Sequence, residues 1–404
     1  MSRSPWTAHA ARGAALVLAL VVSSSSTTAV TVARGGRTEL RIVVAEQATA
    51  AERTAAEELA SYLEQVTGAR FPLVAETRAS GVGPSIFVGP TTRSRELGLE
   101  PAHLGPEQWR IVTAGGDLVL VGGRPRGTLY AVYRFLEDQV GVRWWTPYEE
   151  SVPDRPDLEV TVDAGGQPVF AYRDIHGVRG PTAFHARNRA NGHYSFLDEA
   201  HGGRESYGPP FTVHTFFLYL PPEEHFAAHP EFYAERHGER IGDRTQLCLT
   251  NAAVVEAVQA RLEEFIRQAE DEAEASGEAP ARLFDVSQND WGRPCTCANC
   301  RALDDREGGH AGSLLHFVNR LADAVADRHP DVRIDTLAYD YTLRPPRNLR
   351  PRDNVVIRLA DLQYRDFSKP VRHRANRDVR RAVEGWARGT RHLRIWCYAG
   401  TFGF

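Results

Sequence analysis

The stretch of sequence best suited to chemistry follows an apolar run at residues 283–286. It presents Asn289, Asp290 and Trp291 in succession. Together an amide, a carboxylate and an indole ring can hydrogen-bond sugar hydroxyls, donate a proton and stack on a pyranose face. The structural alternative is that Asp290 only caps the following turn. The stretch therefore predicts a proton donor at Asp290, with Asn289 and Trp291 binding a sugar.

Further carboxylates and aromatic side chains follow later apolar runs. Tyr339 and Asp340 come after one run, Asp361 after the next, and Trp396 and Tyr398 at the last. In a barrel of alternating strands and helices, active-site groups lie at the carboxyl ends of the strands. We predict that Asp340 or Asp361 is the base or nucleophile. The three aromatic residues are predicted to hold the sugar.

One histidine fits the same interpretation. His214 lies within the apolar run 211–219, which is typical of a strand. No His-x-x-x-His or similar ligand spacing surrounds it, which argues against a metal site there. We predict that His214 hydrogen-bonds the substrate in a polar cleft.

Three of the five cysteines fall within six residues, at Cys295, Cys297 and Cys300. With Cys248 they could form a tetrahedral structural zinc site, or one or two disulfides such as Cys297 with Cys300 or Cys295 with Cys248. Both alternatives stay open at this point. Either would stiffen the loop that carries Asp290. The predicted chemistry requires no cofactor.

The first part of the chain, at residues 38–151, predicts a small α/β domain. A strand-like run at 40–45 is followed by helical spacing at 49–67, which Gly68 ends. Further strand-like and helical patterns follow, and a Pro- and Asp-rich stretch at 152–168 predicts a linker.

From residue 169 to 404 strand-like runs alternate with helical patterns, which is typical of a parallel sheet, either doubly wound or closed into a (β/α)8 barrel. The predicted strands occupy residues 170–175, 211–219, 245–249, 283–287, 334–339, 355–359 and 393–397. These are seven candidates where a barrel has eight strands. We therefore predict a TIM-type barrel that is incomplete at its C-terminus.

The N-terminus has the pattern of a secretory signal peptide, predicted over residues 1–33. Arg3 and Arg12 precede an apolar stretch at 14–22, small polar residues follow, and Ala29 and Ala33 offer cleavage sites. The apolar stretch is too short to span a bilayer comfortably. We therefore predict a secreted or cell-envelope protein with no membrane span after signal cleavage.

Composition excludes several other classes of function. The 48 basic and 52 acidic residues give a formal net charge of -4, which argues against binding nucleic acid or an anionic membrane. A Gly-rich phosphate loop and a Gly-x-Ser-x-Gly motif are both missing from the sequence, which argues against nucleotide-driven chemistry and a common serine hydrolase. A carbohydrate is the predicted partner, and the sequence leaves the oligomeric state undetermined.

Two families resemble this sequence. The motifs around residues 55–63, 86–89 and 127–145 resemble the N-terminal domain of family 67 alpha-glucuronidases, which in turn resembles the second domain of beta-hexosaminidases. The motifs at 229–232, 246–251 and 287–290, with the cysteine cluster, are similar to the domain-of-unknown-function family 4838. This resemblance implies a glycoside hydrolase-like barrel. Family 67 enzymes use a glutamate as the acid, whereas Asp290 stands at the corresponding position here.

Taken together, these patterns predict an exported glycoside hydrolase, or its N-terminal portion, that acts on a poly- or oligosaccharide by carboxylate acid/base chemistry. The alternative is a non-catalytic carbohydrate-binding protein on a degenerate or truncated barrel.

Overall fold

A computed structural model describes residues 28–79, 83–178, 180–360 and 365–397. The predictions at Asp361 and Tyr398, and the charged and apolar parts of the predicted signal peptide, lie outside the described residues. The strands are β1 Val30–Ala33, β2 Ile42–Val44, β3 Leu73–Ala75, β4 Ile86–Val88, β5 Trp109–Ala114, β6 Asp117–Gly122, β7 Arg143–Thr146, β8 Glu149–Ser151, β9 Leu158–Val160, β10 Asp163–Gly166, β11 Glu235–Arg236, β12 Glu239–Arg240, β13 Leu283–Asp285, β14 Arg333–Ala338, β15 Val355–Ala360 and β16 Leu393–Trp396. The α-helices are α1 Ala50–Thr67, α2 Thr92–Glu96, α3 Gly127–Phe135, α4 Thr182–Arg187, α5 Phe216–Tyr219, α6 Pro222–His225, α7 Ala252–Ser276, α8 Ala298–Glu307, α9 Ala311–Ala326 and α10 Arg377–Gly389.

The N-terminal part is built on a six-stranded sheet in the order β10-β5-β6-β4-β2-β3. Strands β6, β4, β2 and β3 are parallel, whereas β5 and β10 run antiparallel to their neighbours. Helix α1 buries Leu59, Leu63 and Val66 in the same core as the inner strands, because these residues recur at helical spacing. The predicted strand and helix at its start are therefore confirmed.

One predicted boundary in this part is wrong. The stretch 152–168 is not a linker, because β9 pairs with β1 and β10 pairs with β5 at the edge of the sheet. Its Leu158 and Val160 alternate with exposed residues and are buried, a strand pattern that the surrounding Pro and Asp residues obscured. Strand β1 also falls inside the predicted signal peptide of residues 1–33. Cleavage after Ala33 would remove this buried strand, whereas cleavage after Ala29 would keep it.

The second half contains a parallel sheet in the order β13-β14-β15-β16. Neighbouring strands follow one another along the chain, the arrangement used in (β/α)-barrels. Helices α7 and α9 cover one face, where Phe284, Ile334 and Ile357 belong to one apolar core with residues of both helices. The α/β class is therefore confirmed, and within the part of the chain that the structure describes these four strands do not close into a barrel.

Three runs predicted as strands do not form strands. Residues 170–175 are irregular, residues 216–219 form α5, and residues 245–249 contribute only a single bridge, between Leu247 and Tyr233. The run at 211–219 is rich in aromatic and β-branched residues, a composition that favours strands. Tertiary hydrogen bonds override that preference, because the backbone N–H groups of Thr215 and Phe216 both donate to the carbonyl of Ser287.

Over the described ranges, the helices are all too short or too polar to cross a membrane.

Candidate active site

The parallel sheet presents two chemically different faces. Residues that point toward the helices are apolar apart from Thr336 on β14, but the alternate positions on the opposite face carry Asp285 on β13, Asp335 on β14, Arg358 on β15 and Arg394 on β16. Asp285 and Asp335 have no exposed area, and Arg358 is 5% exposed. Successive side chains of a strand point to opposite faces, so the charged residues face away from the helices as one layer.

This layer is an ion-pair network centred on Arg358. Its Nη2 lies 2.5 Å from Oδ2 of Asp285 and 3.1 Å from Oδ1 of Asp335. Arg394 Nη1 lies 3.7 Å from Oδ2 of Asp335, and the Tyr207 hydroxyl donates to the same oxygen at 2.9 Å. Burial raises the pKa of Asp285 to about 7, with the Asp335 carboxylate adding to the rise and the Arg358 guanidinium opposing it.

Asp285 connects the buried network to the carboxyl end of the sheet. Its Oδ1 accepts hydrogen bonds from the hydroxyls of Thr215 at 2.9 Å and Ser287 at 2.6 Å. The Ser287 hydroxyl in turn accepts the backbone N–H of His214 at 2.9 Å. The network therefore holds the two segments that carry His214 and Asp290.

Four of the predicted site residues meet at this end of the sheet. His214 Nε2 lies 3.9 Å from Oδ1 of Asp290, and the rings of His214 and Tyr339 have centroids 6.1 Å apart. Asp340 faces the same loop, since a Cβ placed on Gly292 would lie 3.3 Å from its Oδ2. We call His214, Asp290, Tyr339 and Asp340 the carboxylate rim.

Asn289 and Trp291 flank Asp290 but differ in exposure. Asn289 is 5% exposed, and its amide accepts from the N–H of Phe217 at 3.1 Å and donates to the carbonyl of Thr245 at 2.8 Å. Its side chain thus holds the loop in place. Trp291 is 46% exposed, with the Arg244 guanidinium 5.6 Å from its ring centroid, so one indole surface is open for stacking.

Side-chain hydrogen bonds from Thr245 and Gln246, which we call the clamp residues, hold the loop that carries Asp290. The Gln246 side chain accepts from the N–H of Asn289 at 2.9 Å and donates to the carbonyls of Asn289 and Trp291. Thr245 Oγ1 donates to the carbonyl of Arg293 at 3.0 Å. These bonds make the position of Asp290 depend on the segment 245–248.

Trp396 lies on another side of the same charged layer. Its ring centroid is 4.6 Å from that of His176, and the Arg358 guanidinium lies 5.2 Å from the ring. His176 packs at 3.9 Å on Tyr194, whose hydroxyl is 3.0 Å from that of Thr212. Thr212 also bonds Arg358 through its carbonyl at 2.6 Å, so Trp396 and His214 adjoin the same short segment.

Sequence reasoning missed Asp285, Asp335 and Arg358. A signal was present, because each interrupts an apolar run at a position that alternates with core residues. A charged residue at an alternate position of a buried strand indicates a polar layer on the opposite face.

The four cysteines come together beneath the loop. Their sulfur atoms all lie within 4.8 Å of one another, and all four residues are buried. The Sγ of Cys248 lies 3.7 Å from that of Cys297 and 4.0 Å from that of Cys300. All of them are free thiols, so the structure does not contain the predicted disulfides.

The cluster has the dimensions of a zinc site. Four sulfurs about 2.3 Å from a tetrahedral Zn²⁺ lie about 3.8 Å from one another. The separations of Cys248 Sγ from the sulfurs of Cys297 and Cys300, 3.7 and 4.0 Å, are close to this value. Hydrogen bonds from Cys295 and Cys300 lower the pKa of Cys248. The bond to Cys248 also raises the pKa of Cys295 to about 12. The Arg240 guanidinium donates to Cys295 Sγ at 3.9 Å, which places a positive charge beside the sulfurs.

A separate cavity of about 750 Å³ lies in the N-terminal part, at the carboxyl ends of β2, β4 and β6. Arg124 lines it and is paired with Glu52 at 3.0 Å. The cavity is lined by none of the predicted site residues.

Comparison with known proteins identifies a matching family. Residues 144–403 match the family described as domain of unknown function DUF4838. The search of curated proteins found no match.

Several solved structures are distantly similar. A family GH115 4-O-methyl-alpha-glucuronidase with specificity for decorated arabinogalactans is 12% identical with a TM-score of 0.49, over 91% of this chain. The chain spans about half of that protein, 54% of its length. A beta-N-acetylhexosaminidase from Bacteroides fragilis is 13% identical with a TM-score of 0.43, over 92% of this chain and 73% of its own. An N-acetyl-beta-hexosaminidase from Streptomyces plicatus is 11% identical with a TM-score of 0.41, over 92% and 72%.

Proposed function

We propose that this chain, which belongs to the DUF4838 family, is an exported protein that binds a carbohydrate and hydrolyses a glycosidic bond. The proposal rests on the chain's own residues. The observation that carries the proposal is the carboxylate rim. Asp290 lies in the loop after β13, and Asp340 follows the neighbouring parallel strand β14 and faces that loop. The exposed indole of Trp291 is next to Asp290 in the chain. A pair of carboxyl groups with an aromatic stacking surface is what glycoside hydrolysis requires.

In this proposal Asp290 gives a proton to the glycosidic oxygen as the bond to the anomeric carbon breaks. Asp340 acts on the opposite side of the sugar, as the base for water or as the nucleophile. Asp361 is the other candidate for that second role. The buried network of Asp285, Asp335 and Arg358 holds the rim from below and makes no proposed contact with the sugar.

The test is hydrolysis of a panel of uronic-acid, hexosaminide and neutral-sugar glycosides by the wild type and by Asp290→Asn and Asp340→Asn. Asp305→Asn is the matched control, since it removes an exposed carboxylate on α8 away from the rim. We expect kcat/KM to fall by about 10²- to 10⁴-fold in the two rim variants. Unchanged turnover of a cleaved glycoside in Asp290→Asn would refute the assignment of the acid.

The second candidate is a carbohydrate-binding protein without hydrolysis. The exposed Trp291 favours it, because a stacking surface is all that binding needs. Glycan affinity that falls in Trp291→Ala, with no sugar released by the wild type from any glycoside, would establish this alternative.

We also propose that the four clustered cysteines hold a structural Zn²⁺. Cys248 continues from the clamp residues Thr245 and Gln246, while Cys295 follows the Asp290 loop, so the metal would join the same two segments a second time. Structural zinc contributes directly to folding, and it requires deprotonated thiols.

Metal analysis of the purified protein tests this site. We expect one zinc per chain, loss of zinc in Cys297→Ser, and retention in Cys397→Ser, which removes the exposed fifth cysteine. Cobalt substitution should give thiolate-to-metal absorption in the wild type. Finding no metal and a single reactive thiol in the denatured, unreduced protein would instead indicate two disulfides.

A further inference from the structure

The ring of His214 is held in one tautomer. Its Nδ1 lies 2.8 Å from the carbonyl oxygen of Gln288. A carbonyl only accepts hydrogen bonds, so Nδ1 carries a hydrogen. When the ring is neutral, the lone pair is therefore on Nε2.

The backbone fixes where that lone pair points. His214 adopts a left-handed conformation, with φ of 57°, and its N–H donates to the Ser287 hydroxyl at 2.9 Å. Its Nε2 faces Oδ1 of Asp290 at 3.9 Å. This distance exceeds a hydrogen bond, but the Asp290 side chain is 67% exposed, and exposed side chains change rotamer within nanoseconds. A shift of about 1 Å brings the two atoms into contact.

We propose that His214 is the proton-transfer partner of Asp290 in the proposed glycosidase reaction, on which this inference rests. Asp290 protonates the glycosidic oxygen, and the electron pair of the broken bond stays on that oxygen. The imidazolium Nε2–H then returns a proton to the Asp290 carboxylate, leaving the neutral Nδ1–H tautomer. The water that adds to the anomeric carbon loses its proton to the base, and exchange with solvent then returns a proton to His214. The sum is one water consumed for each bond cleaved.

The chain offers a matched control for this pair. His225 Nε2 lies 3.9 Å from Oε2 of Glu224, and the Glu224 side chain is 68% exposed, which reproduces the geometry of His214 and Asp290 away from the rim. His214→Asn is the informative variant. Asparagine tolerates the left-handed backbone, and its amide can keep the bond to the Gln288 carbonyl while removing Nε2.

The experiment compares the wild type, His214→Asn and His225→Asn on the glycone found active in the panel, presented as its methyl and its 4-nitrophenyl glycoside. We expect kcat of His214→Asn to fall by about 10²-fold on the methyl glycoside, whose leaving group needs protonation. The fall on the 4-nitrophenyl glycoside should be less than about tenfold. Free imidazole should restore part of the kcat of His214→Gly, and His225→Asn should match the wild type.

A loss that is equal for both leaving groups, or that is confined to KM, would overturn this inference and make His214 a sugar contact. Normal turnover in His214→Asn beside lost turnover in Asp290→Asn would refute it while leaving the proposed function intact. Failure of the wild type to cleave any glycoside would refute both.

Discussion

The N-terminal sheet and the parallel sheet of the second half differ in what their strands bury. Strand β6 buries Leu118, Val119, Leu120 and Val121 in succession, so both faces of the first sheet are apolar there. The second sheet buries Asp285, Asp335 and Arg358 on the face opposite its helices. Replacing a buried ion pair by apolar residues of similar size is often neutral or stabilising, so such a layer is weak evidence for stability. We infer that the layer serves to position the carboxylate rim.

The difference extends to what covers each sheet. Regular helices pack on the first sheet, whereas the charged layer is contacted by Tyr172, Tyr207 and Thr212, which lie in the segment before α5 and outside the helices and named strands. Tyr207 in this segment donates to Asp335, and the Tyr172 ring lies 3.9 Å from the Arg394 guanidinium. Buried charges must be paired or hydrogen-bonded, so the side that covers Asp335 and Arg394 has to offer polar and aromatic partners.

The largest expected effect comes from breaking the network. Arg358→Met leaves Asp285 and Asp335 buried without their shared cation, and we expect a loss of about 3–5 kcal/mol in the free energy of unfolding. Urea denaturation measures it. In the control, Arg391→Met removes a pair with Asp353 whose side chains are 74% and 77% exposed, and the loss should be below about 1 kcal/mol. Similar losses in the two variants would mean that removing the cation from the buried layer costs no more than removing an exposed ion pair.

The first sheet should respond to cavities instead. Leu63 on α1 has no exposed area, so Leu63→Ala should lower the free energy of unfolding by about 3 kcal/mol. The loss should not change with salt, since no charge is involved. Leu73→Ala is the control, because Leu73 is 46% exposed and should cost less than about 1 kcal/mol. A strong salt dependence for Leu63→Ala would contradict the contrast between the sheets.

The contrast also explains which elements could be predicted from the sequence. Strand β2 and helix α1 were predicted to within about two residues, because apolar periodicity and the glycine that ends the helix are local signals. The network was not predictable in detail. Asp285, Asp335 and Arg358 are 50 and 23 residues apart, and their contact depends on strand order and register, which no local pattern encodes.

The same distinction between local signals and tertiary contacts applies to the site residues. Asp290, Asp340 and Tyr339 were predicted as site residues from their positions after strands, and the structure brings them to one rim. Asn289 was predicted as a sugar contact and residues 211–219 as a strand. Neither prediction took account of hydrogen bonds to residues distant in the sequence. The side-chain amide of Asn289 is hydrogen-bonded to two backbone groups. The carbonyl of Ser287 accepts the N–H groups of Thr215 and Phe216, which in a strand would pair with a neighbouring strand.

A pH titration sharpens the comparison. Burial raises the folded-state pKa of Asp285 from 3.8 to about 7, so between these values the folded protein keeps a proton that the unfolded chain has lost. This stabilisation is complete below about pH 4 and is lost as the pH rises through 7. The wild type should therefore lose stability relative to Asp285→Asn between pH 4 and 8. The effect should be smaller than that of Arg358→Met, because the Arg358–Asp335 pair remains.

Thermal unfolding of both proteins at pH 4, 6 and 8 measures the difference, and Leu63→Ala, which has no altered charge, should follow the wild type at each pH. A wild type that gains stability relative to Asp285→Asn with rising pH would show that Asp285 is held ionised by Arg358.

The smallest effect concerns a helix cap in the N-terminal part. The Thr49 hydroxyl accepts the Glu52 N–H at 3.2 Å, and the Glu52 carboxylate accepts the Thr49 N–H at 2.8 Å. Thr49→Ala should cost about 1 kcal/mol. Thr54→Ala, inside the same helix, should have little effect or stabilise slightly, because alanine is the better helix former. Changes of opposite sign in the free energy of unfolding for these two Thr→Ala substitutions, five residues apart, would show that local capping and helix propensity decide the stability at the start of α1. Equal losses would mean that the helix start depends on tertiary contacts, as the carboxylate rim does.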